Sequence, residues 1–270
     1  MQRMFPTHHE RWRRPARQQG VALFVVIVFV MLSMLLALWA SRTSLFNELV
    51  VGNDADYQRA FEAAQALLQD AELDIRGENA DGSPCIAAGC RNNIGTARKI
   101  PLDAQEVIPL LADLDQETTK CKSGLCIKRT GRQDFWNYSG STVPTPAPVA
   151  GEVKLEDMTQ PDVGARYGQY TGASTGRDGN DKPDIDKPAN PILTDTSANN
   201  RGGWYWIEVL RYDESTKNSG LIVGGANTDN LLRLNLKPNV VYRITALAYG
   251  RKPGTMAVLQ QTYARQMRKD

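Results

Sequence analysis

The sequence predicts an α+β protein with one long N-terminal helix laid across a C-terminal antiparallel sheet. Three observations carry this. Residues 21–40, VALFVVIVFVMLSMLLALWA, hold one polar side chain, Ser33, and no charge. From Ser44 to Ile75 apolar residues recur at helical spacing. After Gly203 the chain changes to β-branched and aromatic runs divided by turn residues.

The apolar run comes first. At about 1.5 Å rise per residue, its length spans roughly 30 Å, the thickness of a bilayer's hydrocarbon core. A basic leader ending in Gly20 precedes it, with Arg3, Arg11, Arg13, Arg14 and Arg17 against Glu10. The run exceeds the apolar region of a cleaved secretory signal, and no A-x-A-like site closes it. It therefore reads as a membrane anchor. The arginines before it, with Glu48, Asp54 and Asp56 after it, predict that the basic end stays in the cytoplasm and the bulk is exported. The same arginines suit anionic lipid, but orientation already accounts for them.

The helical pattern continues. Tyr57, Ala60, Phe61, Ala64, Leu67, Leu68, Ala71 and Ile75 make one apolar stripe. Asp56, Gln58, Arg59, Glu62, Gln65, Gln69, Asp70 and Asp74 are assigned to the opposite face. Gly52-Asn53 marks a place where the helix can bend or melt, and Arg76-Gly77 is a stop signal.

The middle, residues 77–200, is loop-rich. A short helix is expected near Glu106–Leu114, its length limited by Pro109. The proline-rich 143–153 reads as extended, and 171–203 as a long surface loop. Four strands follow: Trp204–Tyr212, Leu231–Leu236, Val240–Tyr249 and Thr255–Ala264, the last two joined by GRKPG. They predict a meander with one face covered by the exported half of the helix, where Phe61 and Leu68 should bury.

Composition narrows function. Outside the leader the chain is slightly acidic overall, which gives no reason to expect nucleic acid. The two histidines, His8 and His9, both lie in the leader. Without it, Ser-His-Asp and Cys-His catalysis and histidine metal sites are excluded. No nucleophile–base pair or phosphate loop marks an enzyme.

Cys85, Cys90, Cys121 and Cys126 stand in two C-x4-C pairs. The spacing admits zinc, but an exported chain meets an oxidising compartment, so disulfides are expected. Three pairings remain open. Gly89 and Gly124 would let each short loop close on itself, which favours Cys85–Cys90 and Cys121–Cys126. In RDGNDKPDIDK, the oxygen ligands Asp178, Asn180, Asp181, Asp184 and Asp186 suit calcium, yet the EF-hand pattern fails at Lys182 and Pro183. A solvated loop is expected there. Trp204, Tyr205 and Trp206 suit an aromatic binding platform, but alternation puts Trp204 and Trp206 on one strand face, which is more often a packed core, and Phe135-Trp136 is read likewise.

The leader ending in Gly20, the uninterrupted apolar helix and the following QRAFEAAQALLQDAE together resemble a type IV pilin, and in detail a PilX-type minor pilin. YWIEVL, VYRITALAYG and MAVLQQTYAR resemble the closing strands of the same family. The likeness covers about the first 75 and last 65 residues. It implies the pilin fold and no cofactor. It divides the chain into a removed leader (1–20), a transmembrane half-helix (21–40), an amphipathic half-helix (41–76) and a periplasmic α+β domain (77–270). It also implies cleavage after Gly20 and methylation of Val21 by a prepilin peptidase. Implied partners are other minor pilins, the major pilin and a PilY-like tip adhesin, with the inner membrane as host before assembly. Most pilins carry a glutamate five residues into the mature chain, where this chain has Val25. Tip-type pseudopilins of type II secretion systems resemble it in that absence and are the nearest alternative. A membrane-anchored adhesive or ligand-binding periplasmic domain is the other.

Overall fold

The computed structural model describes residues 19–86, 89–91, 99–140, 147–211, 236 and 238–265. Leader residues 1–18, part of the proline-rich run and the strand expected at Leu231–Leu236, except Leu236, lie outside them. The chain divides into two units, residues 1–52 and 53–270. One helix, α1, runs unbroken through Gln19–Arg76, so Gly52-Asn53 does not melt it. A single glycine costs only about 1 kcal/mol against alanine, less than its neighbouring helical turns supply.

In the first unit every side chain from Val21 to Val51 is exposed. Phe24, Leu36 and Trp39 show 67%, 67% and 70% of their surface, far too much apolar area for a helix meant to meet water. Two of its hydroxyls bond back within the helix, Ser33 Oγ donating to Phe29 O (2.7 Å) and Thr43 Oγ1 to Trp39 O (2.9 Å). This is the condition hydrocarbon imposes on polar groups.

The second unit is built on a six-stranded sheet. Its long strands are β6 (Gly203–Arg211), β7 (Val240–Tyr249) and β8 (Met256–Tyr263), each antiparallel to the next. Beyond β6 lie two short strands, β1 (Cys121–Lys122) and β2 (Leu125–Cys126), and β3 (Ala165–Arg166) also pairs β6. β2 runs parallel to β6, so the sheet is not a pure meander. The β1–β2 turn has positive φ at Ser123 (52°) and Gly124 (79°), the twist a two-residue hairpin needs. A Cβ on Gly124 would lie 2.6 Å from that of Ala165.

Two layers cover this sheet. On one face Tyr205, Ile207, Val209, Tyr242, Ile244 and Ala246 pack with Ala60, Ala64, Leu67, Ala71 and Ile75 of α1. Alanines at the contact let helix and strand backbones approach closely. On the other face Trp204, Trp206 and Leu247 pack under Cys121, Cys126, Phe135, Leu155 and Met158. The second cover explains why β6 reads GWYWIEV without polar alternation.

Two local expectations need correction. α2 spans Ala104–Asp115, with Pro109 inside it rather than ending it. Asp103 caps the helix by accepting from the N–H of Gln105 (2.8 Å) and Glu106 (3.0 Å), and the proline forfeits one internal bond. The 171–203 loop contains a hairpin of β4 (Thr175–Arg177) and β5 (Pro183–Pro188). A short α3 (Leu155–Met158) follows the proline-rich run. α1 ends as its sequence requires. Gly77 has φ 71° and donates to Asp74 O, while Glu78 donates to Leu73 O, closing the helix.

Candidate functional site: the apolar helix and its aspartate clasps

Gly20, Val21 and Val25 lie within two turns of α1, in the first unit. Val25 is 42% exposed and has no charged neighbour on its helix between Val21 and Ala40. Such a surface offers dispersion and area burial alone. It fits lipid or other apolar helices, and gives no handle for catalysis.

Phe61 and Leu68 belong to the second unit. Leu68 is buried at the margin of the main core, and Phe61 is half-buried against it. The centre of the contact is instead Ala60, Ala64, Leu67 and Ala71, each fully buried. The cysteines form Cys85–Cys90 and Cys121–Cys126, and none is free among the described residues.

The aspartates placed on the polar face are misassigned by sequence. Asp56, Asp70 and Asp74 are 1%, 1% and 3% exposed. Their spacing could have revealed them, because 56, 60, 63, 67, 70, 71, 74 and 75 continue one helical stripe. Each clasps a different segment onto α1.

Asp56 accepts from the N–H of Arg251 (3.0 Å) and Lys252 (2.9 Å), fastening the β7–β8 turn. Burial pushes this carboxyl up, but the two backbone donors and Thr255 outweigh it, and it titrates below the usual carboxylate range. Asp74 takes Nε (2.8 Å) and Nη2 (2.6 Å) of Arg91 and the hydroxyl of Tyr205 (2.9 Å). Arg91 stacks on Tyr170 at 3.8 Å and donates Nη1 to Ser123 O (2.9 Å), so it joins helix, hairpin and sheet. Cys90, its chain neighbour, fixes its loop through the first disulfide.

Asp70 accepts from Gly168 N (2.7 Å) and from the Thr171 hydroxyl. Burial pushes its carboxyl up from 3.8 to about 6, against these two donors and with Asp74 adding to the rise. A raised folded-state value means the contribution is full below the ordinary carboxylate range and lost as pH rises through about 6. The loss is on the order of 3 kcal/mol. Asp70→Asn should remove this slope: from pH 4 to 7 wild type should lose stability relative to the variant. Denaturant midpoints across that range test it, and parallel pH profiles would refute it.

The opposite sheet face holds a second ionic set. Glu208 on β6 is 1% exposed, bonds Arg243 on the neighbouring strand and lies 3.6 Å from Arg129 Nη2. Arg129 also approaches Cys121 Sγ at 3.6 Å and covers the Phe135 ring at 4.8 Å. Burial holds its guanidinium below the ordinary arginine value.

The aromatic platform and the acidic loop are structural. Trp204 Nε1 donates to Asn199 O (2.8 Å) and Trp206 Nε1 to Met158 O (3.2 Å), and both rings are fully buried. Asp178 accepts from the N–H of Asn180 and Lys182, each at 2.8 Å, and so builds the β4–β5 turn. Among the described residues no group of three His, Cys, Asp or Glu is gathered for a metal.

An exposed charge-free helix continued into a sheet-covering helix defines the pilin class of subunit. Residues 19–69 match the PilX N-terminal family and residues 122–265 match the type IV pilus assembly protein PilX C-terminal family. The chain belongs to the PilX family and is a minor pilin of type IV pilus assembly, a structural subunit. No match was found among curated proteins or solved structures.

Proposed function

We propose that this minor pilin primes assembly from the filament tip. It waits in the inner membrane with the second unit in the periplasm. A prepilin peptidase cuts after Gly20 and methylates Val21. The hydrophobic half-helix then leaves lipid and packs among those of other minor pilins and the major pilin, exchanging one apolar surround for another, beneath a PilY-like adhesin.

Val25 carries the tip assignment. A carboxylate in hydrocarbon costs on the order of 2.5–3.5 kcal/mol by insertion scales, so a pilin that has one must give it a partner. In pilins of this plan that partner is the terminal amine of a neighbouring subunit. A subunit with nothing above it has no such amine, and valine avoids the unpaired charge. A tip pseudopilin of a type II secretion system shares this logic, but the match of both family halves to pilus assembly favours the pilus.

Two measurements test the reading. Mass spectrometry of subunits from sheared pili should give Val21 as a singly methylated N-terminus. Immunogold against the second unit should mark filament ends. A retained leader in assembled pili sinks the processing step, and even labelling along the shaft sinks the tip assignment.

A further inference from the structure

We propose that the cleft between α1 and the β7–β8 turn is a binding site for a phosphate group. Arg59, Arg201 and Arg251, from three separate segments, line one depression of about 730 Å³ together with Asn190, Asp195 and Tyr249. No ion pair joins any of these arginines to a carboxylate among the described residues. Asp195, the sole carboxylate in the lining, is bonded instead to Ser197 through N (3.0 Å) and Oγ (2.6 Å), and senses Arg201 only through space. The lining thus gathers three cations against one anion in a concave place.

The arrangement is held before any ligand arrives. Arg201 Nη1 donates to Arg251 O (3.3 Å), and Arg251 N is clasped by Asp56 (3.0 Å). Arg166, stacked on Trp204 at 3.7 Å, donates to the carbonyl of Arg201. A carboxylate offers two coplanar oxygens, which one guanidinium fork satisfies. Guanidinium groups carried by three separate segments of the lining supply the several donors that a tetrahedral phosphate takes. The volume admits a phosphate ester as well as the bare ion, so both a lipid headgroup and free phosphate present the right chemistry.

The test is calorimetric titration of the full-length protein in a maltoside detergent. The probes are inorganic phosphate and glycerol 3-phosphate, with sodium chloride at matched ionic strength as the blank. Both should bind saturably. Arg59→Gln, an exposed change on the helix, should weaken binding about tenfold, as expected for one lost charged hydrogen bond. The double variant Arg201→Gln/Arg251→Gln should abolish it. Arg177→Gln, on β4 outside the lining and paired with Asp181 at 3.4 Å, should leave it unchanged. Tighter binding of glycerol 3-phosphate assigns the site to a headgroup, and equal or tighter binding of inorganic phosphate assigns it to the free ion. Absence of saturable heat from either probe overturns the proposal. So does undiminished binding by Arg59→Gln with an unchanged melting temperature.

Discussion

Arg91→Met should destabilise the second unit by about 3–5 kcal/mol, the usual cost of stranding one member of a buried ion pair. Asp74 and Arg91 are 1% and 2% exposed at their side chains and meet at 2.6 Å. Methionine fills much of the arginine's volume, so the loss is electrostatic more than steric. Asp74 would keep the Tyr205 hydroxyl but face Asp70 one turn away without a counter-charge. The loss of Arg91 also releases Ser123 O in the β1–β2 turn. Urea unfolding of the full-length protein, followed through the tryptophans, should show the shift at constant slope. The double variant Asp74→Leu/Arg91→Met should recover much of it, because removing both charges removes the stranded one. A single variant within about 1 kcal/mol of wild type would mean that water reaches this pair.

The same residues show where sequence reading stops. Periodicity exposed α1 because an apolar stripe needs only local spacing, and Gly77 closed it where a glycine stop was expected. β-Branched and aromatic runs divided by turn residues expose β6, β7 and β8 for the same reason. Residue type assigns Asp56, Asp70 and Asp74 to the polar face, whereas their spacing sets them on the buried one. A buried carboxylate is recognisable only once its donors are known, and these come from Arg251, Gly168 and Arg91, far along the chain. The hairpin Thr175–Pro188 was hidden by prolines and aspartates that suit an edge and its turn as well as they suit a loop. The second layer over Trp204 and Trp206 was hidden because Phe135, Leu155 and Met158 come from short, irregular segments with no period of their own. The exposed apolar part of α1 is legible in the sequence, because a charge-free run of this length is a property of composition.

Leu67→Ala should cost about 3–5 kcal/mol, and Phe61→Ala clearly less. Both lie on the stripe of α1, and size alone would rank phenylalanine first. Burial reverses that order. Leu67 is fully buried, and a Cβ on Gly203 would meet its Cδ1 at 2.6 Å, beside Leu193 Cδ2 at 2.5 Å. Gly203 opens β6, so Leu67 packs directly against the start of that strand. Ala60, Ala64 and Ala71 flank it and are too small to fill the space that truncation would leave. Phe61 is half-buried at the edge, where solvent and neighbouring side chains can close over a lost ring. The comparison also separates two roles for the stripe. If the apolar face of residues 56–75 serves chiefly to hold the sheet, Leu67→Ala lowers the urea midpoint strongly and Phe61→Ala weakly. If instead Phe61→Ala leaves the midpoint unmoved but impairs assembly, that ring belongs to a contact with a neighbouring subunit. Equal, large losses for both would place Phe61 in the core and contradict its exposure.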